Sequence, residues 1–158
     1  MKRSLRAVFL NAFSVLLWRL IAGGLLFKAS LTKISPDSLF FADLKAYQLL
    51  PGWALGPFAW LMPRVELIFG GFLILGLATR ASAAVCGALY AMFTVAIAQS
   101  LLRGLNIQNC GCGITGNEPA SWGHVLLDLA MLAMCALVFF ARTERATLDR
   151  LLARKPEQ

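Results

Sequence analysis

Four long apolar runs separated by short polar segments dominate the pattern of this chain. They cover roughly Ala7 to Phe27, Trp53 to Leu77, Ala81 to Leu102 and Trp122 to Ala141. Each is long enough to cross a bilayer as a helix, which takes about 20 mostly apolar residues. In lipid every backbone polar group needs an internal partner, and a helix supplies one within the segment. The roughly ten-residue alternation of a membrane barrel strand is missing from all four runs. The pattern predicts an all-α integral membrane protein, a bundle of four transmembrane helices forming a single membrane domain.

The segment between the first two runs carries its own periodicity. Ser35 is placed to cap a helix and Pro36 suits its first turn. Leu39, Phe40, Leu44, Tyr47 and Leu50 then recur at helical spacing. A short amphipathic helix is predicted here, closed by Pro51-Gly52 and lying across the outer mouth of the bundle.

Composition agrees with the pattern. The chain of 158 residues is 59% hydrophobic and 15% charged, whereas soluble domains carry about 25% charged residues. In water such a chain would expose large apolar patches; surrounding lipid removes that difficulty. The net charge of +7 raises the question of nucleic acid. The basic residues argue against it, because they gather at the ends of the chain rather than among aromatics on one face.

Their distribution sets an orientation instead. Lys2, Arg3, Arg6, Arg80, Arg142, Arg145, Arg150, Arg154 and Lys155 fall on one side of the spans; Lys28, Lys33, Lys45 and Arg103 fall on the other. The positive-inside rule then predicts a multi-pass protein with both termini cytoplasmic. The loops Lys28 to Gly52 and Arg103 to Ser121 face outward, which in a bacterium means an inner-membrane protein with two periplasmic loops. The charged tail 142–158 is cytoplasmic in this scheme. Leu148, Leu151 and Leu152 would let it lie on anionic lipid, though a solvated tail fits equally. The basic start Met1-Lys2-Arg3 is reminiscent of a signal peptide. The length of the run, Arg19 within it and the lack of a small-residue cleavage site read it as a retained helix.

Arg19, Arg64, Glu66 and Asp128 fall inside predicted spans. Charges are costly there, so each is expected to face the bundle interior with a partner. Pro63, just before Arg64 and Glu66, can kink its helix. Arg19, Glu66 and Asp128 are expected to form one ionic cluster beneath the second outer loop. Such a cluster either locks helix to helix or forms a polar pocket for a quinone head group or a proton relay. Ala22, Gly23 and Gly24 in the first span, with Gly70 and Gly71 in the second, allow close helix contacts.

Cys86 and Cys135 lie within spans and read as small apolar residues. Cys110 and Cys112 stand apart, in the glycine-rich loop Cys110-Gly-Cys-Gly on the predicted oxidising side. A bridge across so short a separation closes a small, strained ring that reduces easily. Ser121 caps the following helix, whose N-terminus favours thiolate nearby. Three readings fit the pair: a redox-active dithiol, a structural link, or a soft-metal site for Cu(I) or Zn. The last would add His124, the single histidine of the chain.

Taken together, Arg19, Gly23, Phe27, Lys33, Pro36, Phe40, Tyr47-Gln-Leu-Leu-Pro51, Pro63-Arg-Val-Glu66, Gly70, Gly76, Arg80 and Cys110-Gly-Cys112-Gly113 resemble the MauE branch of the DoxX-like membrane proteins. The resemblance runs from about Arg19 into the fourth span. It implies a four-helix inner-membrane protein needed to produce the disulfide-rich subunit of methylamine dehydrogenase, working with a thioredoxin-like partner. It makes Cys110 and Cys112 the redox pair and Glu66 the buried acid, and it leaves room for quinone as the electron acceptor, since DoxX relatives are tied to quinone-linked thiol oxidation. Expected partners are thus a periplasmic thioredoxin-like protein or a disulfide-containing client, with membrane lipid around the bundle and no nucleic acid. Two rival expectations are a membrane accessory protein that binds copper or zinc and a non-catalytic assembly factor of a membrane complex.

Overall fold

A computed structural model of the chain describes residues 12–34, 39–105, 107–108, 110 and 118–141. These residues form helices joined by turns and loops, and no strand occurs among them. The elements are α1 (Ala12–Ile34), α2 (Phe40–Ala46), α3 (Gly52–Leu75), α4 (Thr79–Leu102) and α5 (Trp122–Phe140). All but α2 are long and apolar enough to cross a membrane. The predicted four-span bundle is the architecture observed, with the short helix in its predicted loop. The N-terminal basic cluster, the proposed Ser35 cap, Cys112 and the charged tail lie outside the described residues.

α1 packs chiefly on α3, and α4 on α5, while the seam between α3 and α4 is thinner. Small residues set the first pairing. A Cβ added to Gly23 would sit 2.9 Å from the Gly70 carbonyl oxygen. One added to Gly70 would sit 3.1 Å from the Gly23 carbonyl oxygen. The two backbones therefore touch where no side chain intervenes, as small residues permit in membrane helices. Gly24, by contrast, faces open space.

α4 and α5 join this pair through Tyr90, whose hydroxyl donates to the Ala22 carbonyl at 2.8 Å. Cys86 and Cys135 are free thiols, both fully buried in the same apolar core. A Cβ at Gly87 would meet that of Cys135 at 3.5 Å, so the helices are close at this level as well.

One span limit differs from the sequence expectation. α1 continues to Ile34, past the limit drawn at Phe27. Lys28 is exposed, and Lys33 is buried against an acid inside the bundle, so neither ends the helix. α3 runs unbroken through Pro57 and Pro63. It stops at Gly76, whose φ of 74° is the left-handed conformation that commonly closes a helix.

Candidate functional site

The buried stripe of α1 is Val15, Arg19, Ala22, Leu26, Ala29, Ser30 and Lys33. Its three- and four-residue spacing carries two cations into the bundle, at opposite ends of the helix. Arg19 takes the end that meets the C-terminus of α3. Its Nε donates to the Leu73 carbonyl at 3.0 Å and its Nη2 to the Ile74 carbonyl at 3.2 Å. These carbonyls belong to the last turn of α3, where orphan acceptors and the negative end of the helix dipole favour a cation.

Arg19 is thus two turns of α3 away from Glu66, and the expected Arg19–Glu66–Asp128 grouping is not the arrangement formed. Lys33 takes the place assigned to Arg19. Its Nζ lies 2.7 Å from Glu66 Oε1 and 3.0 Å from Oε2. Both side chains are removed from solvent. The ammonium also lies 4.6 Å from the Phe93 ring centre and 5.1 Å from that of Phe40. Aromatic faces attract a cation, so they add to the carboxylate in holding it. One lysine thereby ties together α1, α2, α3 and α4.

Asp128 on α5 lies within electrostatic reach of Lys33. It is 1% exposed, and its Oδ2 has no hydrogen-bond partner among the described residues. Arg64 does not face the interior as expected. It is partly exposed, its guanidinium lies 3.8 Å from the Trp60 ring centre, and its Nη1 donates to the Trp60 carbonyl. Cation and indole form a pair on the outside of α3, near the middle of the helix, where the aromatic face attracts the guanidinium.

Above the Lys33 cluster lies the cysteine loop. Cys110 is in a disulfide, and it is 3% exposed. Its backbone is held at both its amide and its carbonyl, and a neighbouring bond closes the stem of the loop. The Cys110 amide donates to the Glu118 carbonyl at 3.0 Å, and the Ala120 amide to Ile107 at 3.1 Å. The Tyr47 hydroxyl donates to the Cys110 carbonyl at 2.5 Å. Burial, with Asp43 and Asp128 adding to it, pushes the Tyr47 phenol above its ordinary value, so it remains a donor. Tyr47 follows directly on α2, which makes the short helix the anchor of the loop. Within the predicted stripe Phe40 and Tyr47 are buried, whereas Leu39 is exposed.

Ser121 precedes α5 as predicted, but its hydroxyl makes no cap bond to the helix amides. Its Oγ lies 2.8 Å from His124 Nδ1 instead. His124 Nε2 lies 3.9 Å from Glu118 Oε2. His124 is thus hydrogen-bonded to the stem of the loop through Nδ1, with the Glu118 carboxylate near its other nitrogen. Among the described residues no group of three or more His, Cys, Asp or Glu side chains could hold a metal ion.

Below the loop the thin α3–α4 seam opens into a cavity of about 500 Å3. Phe40, Leu44 and Tyr47 border it from α2 and its end, Phe58 and Met62 from α3, and Ala91 to Gln99 from α4. Cys110 forms part of the wall, and Asp43 and Gln99 are its other polar residues beside Tyr47. Sequence reasoning missed this cavity, the Tyr47 anchor and the Lys33–Glu66 pair. Lys33 had a readable signal, since it continues the Ala22, Leu26, Ala29 spacing. The cavity had none, because it comes from how two helices diverge.

No solved structure matches the chain. Three curated proteins, each named methylamine utilization protein MauE, are similar to it. The protein of Methylophilus methylotrophus is 33% identical over 70% of this chain and 59% of its own length. That of Paracoccus denitrificans is 30% identical over 78% of this chain and 68% of its own. That of Methylorubrum extorquens is 31% identical over 72% of this chain and 58% of its own. The chain thus spans about three fifths to two thirds of these relatives. The sequence model of the family described as methylamine utilisation protein MauE matches residues 11–141, which takes in all four spans and the cysteine loop, and the chain belongs to that family.

Proposed function

We propose that the protein is a membrane thiol–disulfide redox protein that supports maturation of a disulfide-containing client such as methylamine dehydrogenase. In this reading Cys110 and Cys112 are the working pair. They face the periplasm of a bacterium whose inner membrane holds the bundle with both termini in the cytoplasm. A thioredoxin-like partner exchanges with the pair by thiolate attack through a mixed disulfide.

The observation that carries the reading is the Cys110 disulfide, held at one end of the membrane bundle by Tyr47 and the Glu118 carbonyl. Cys86 and Cys135 are free and buried in the core, so they do not compete for an external partner. The three relatives support a role in methylamine utilisation by name.

The test is to replace Cys112 by Ser in the full chain and look for a mixed disulfide through Cys110. A trapped thioredoxin-like protein or client supports the reading. If nothing is trapped and both single cysteine variants remain fully active, the reading fails. A membrane-impermeant thiol reagent on intact cells reports sidedness independently: labelling only after reduction places the pair on the outer face.

A further inference from the structure

The cavity at the α3–α4 seam offers little to water. Most of its wall is apolar, with Leu44, Leu50, Phe58, Met62, Met92 and Val95 among its members. Of its polar residues, Tyr47 is committed to the Cys110 carbonyl, and Asp43 interacts within the protein. Apolar cavities stay dry, because water finds too few hydrogen bonds in them. Left empty, the lining forfeits its dispersion contacts on one side. An apolar occupant removes both difficulties.

The shape narrows the choice of occupant. The lining runs from Ala91 to Gln99 on α4, about 12 Å along the helix at 1.5 Å per residue. That stretch lies inside a membrane span. Val95 lines the cavity and is 63% exposed, and Leu49, another lining residue, is 39% exposed. On a lipid-embedded surface that exposure is to acyl chains, so the cavity opens sideways into the bilayer. A helix of a partner or of a second copy is too wide to enter. With its side chains a helix is at least about 10 Å across, so a length of about 12 Å fills roughly 900 Å3, against a cavity of about 500 Å3. A lipid acyl chain is slender enough.

A cation stands at one end of this space. Arg103 follows Gln99 by four positions, and its amide donates to the Gln99 carbonyl at 3.1 Å, so it keeps the helical register. Residues four apart share a helix face, and helical side chains lean back over the preceding turn. Arg103 therefore overlies the Gln99 end of the cavity, and it is exposed. It makes no ion pair among the described residues. A guanidinium in that position matches the paired oxygens of a phosphate.

We propose that the cavity is a phospholipid site, with one acyl chain seated between α3 and α4 and the lipid phosphate at Arg103. The lipid comes from the leaflet on the side of the cysteine loop, since α4 ends there. Its chain lies against the wall that Tyr47 and Cys110 help to form. The site requires nothing of the thiol pair, so it stands or falls separately from the redox reading.

The test uses the full-length protein in detergent, with phosphatidylcholine carrying a photoreactive diazirine in one acyl chain. That headgroup has no net charge, so a dependence on Arg103 reports the phosphate. Met62 lines the cavity and is otherwise buried, whereas Leu75 lies on the open surface of α3. Photolabelling of wild type is expected on Met62 as well as on Leu75. Ala96→Trp, which fills the wall, is expected to reduce labelling of Met62 at least fivefold and leave Leu75 unchanged. Arg103→Gln is expected to reduce Met62 labelling by phosphatidylcholine several-fold. Labelling by the matching diacylglycerol, which lacks the phosphate, should not respond to Arg103→Gln. Labelling of Leu75 without Met62 would reduce the lipid to an unspecific surface layer and overturn the site. Met62 left unlabelled in protein that runs as a dimer would give the seam to a second copy and overturn it too. Equal labelling of Met62 by both lipids, unaffected by Arg103→Gln, would overturn the phospholipid assignment. Should Ala96→Trp fail to fold, the wild-type map and the Arg103→Gln comparison decide between these outcomes.

Discussion

Lys33 and Glu66, on different helices and far apart in sequence, form a buried ion pair with Nζ 2.7 Å from Oε1. Neither end of the pair reaches solvent. Breaking such a pair by removing one member leaves an uncompensated charge, which costs about 3–5 kcal/mol in buried settings. Lys33→Met and Glu66→Leu are each expected to lower the melting temperature of the detergent-solubilised protein sharply. The double variant should recover much of that loss, because neither Lys33 nor Glu66 is then buried without the other, although Asp128 still loses the nearby ammonium. A double variant no more stable than either single one would show that the pair does more than balance charge.

The α1–α3 contact gives a second, cleaner stability test. Gly23 and Gly24 are neighbours in one helix, yet a Cβ at Gly23 would strike the Gly70 carbonyl whereas one at Gly24 would meet nothing within 4 Å. Gly23→Ala is expected to destabilise by about 1–3 kcal/mol through overpacking against backbone. Gly24→Ala should be neutral or slightly stabilising. Thermal unfolding of the two variants under one set of conditions decides the matter, and equal effects would contradict the close backbone approach.

The spans were legible because membrane insertion is read from a one-dimensional apolar pattern. The limits of that reading are equally physical. Hydropathy ended α1 at Phe27 because Lys28 and Lys33 look like solvent-facing charge, yet Lys33 is neutralised by an acid from another helix. Arg64 and Glu66 are two residues apart, too close to share a helix face, so only one could point inward. The pattern alone did not choose which; Glu66 is inside and Arg64 outside on Trp60. The cysteine loop stood out by composition, whereas its Tyr47 anchor joins residues 63 positions apart and depends on tertiary packing.

That anchor makes a prediction about the disulfide. Tyr47→Phe removes the hydroxyl that holds the Cys110 carbonyl and costs about 1 kcal/mol as a lost hydrogen bond. Reduction of the loop disulfide by dithiothreitol should accelerate several-fold while the bundle stays folded. The effect has a pH signature. Folding raises the Tyr47 phenol above its unfolded value of 10.0, so its contribution is fully present below that pH and lost as pH rises past it. The contrast between wild type and variant is therefore expected to be flat from neutral pH to about 10 and to shrink beyond it. A contrast that disappears near neutral pH would place the control elsewhere.

Asp128 separates structural from functional burial. It is 1% exposed and leaves Oδ2 without a hydrogen bond among the described residues, an arrangement that costs stability rather than supplying it. Were its role only to hold helices together, Asp128→Asn, nearly the same shape, should behave like wild type. If the carboxylate serves thiol chemistry beside Lys33, the same variant should fold normally and still fail to mature a client. We expect the second outcome, with Asp128→Asn present at wild-type levels in the membrane and client maturation reduced well below any effect of tail substitutions such as Arg150→Ala. Membrane abundance and client disulfide content, measured in the same cells, provide both halves of the comparison. Normal maturation in Asp128→Asn would assign the buried acid to helix packing alone.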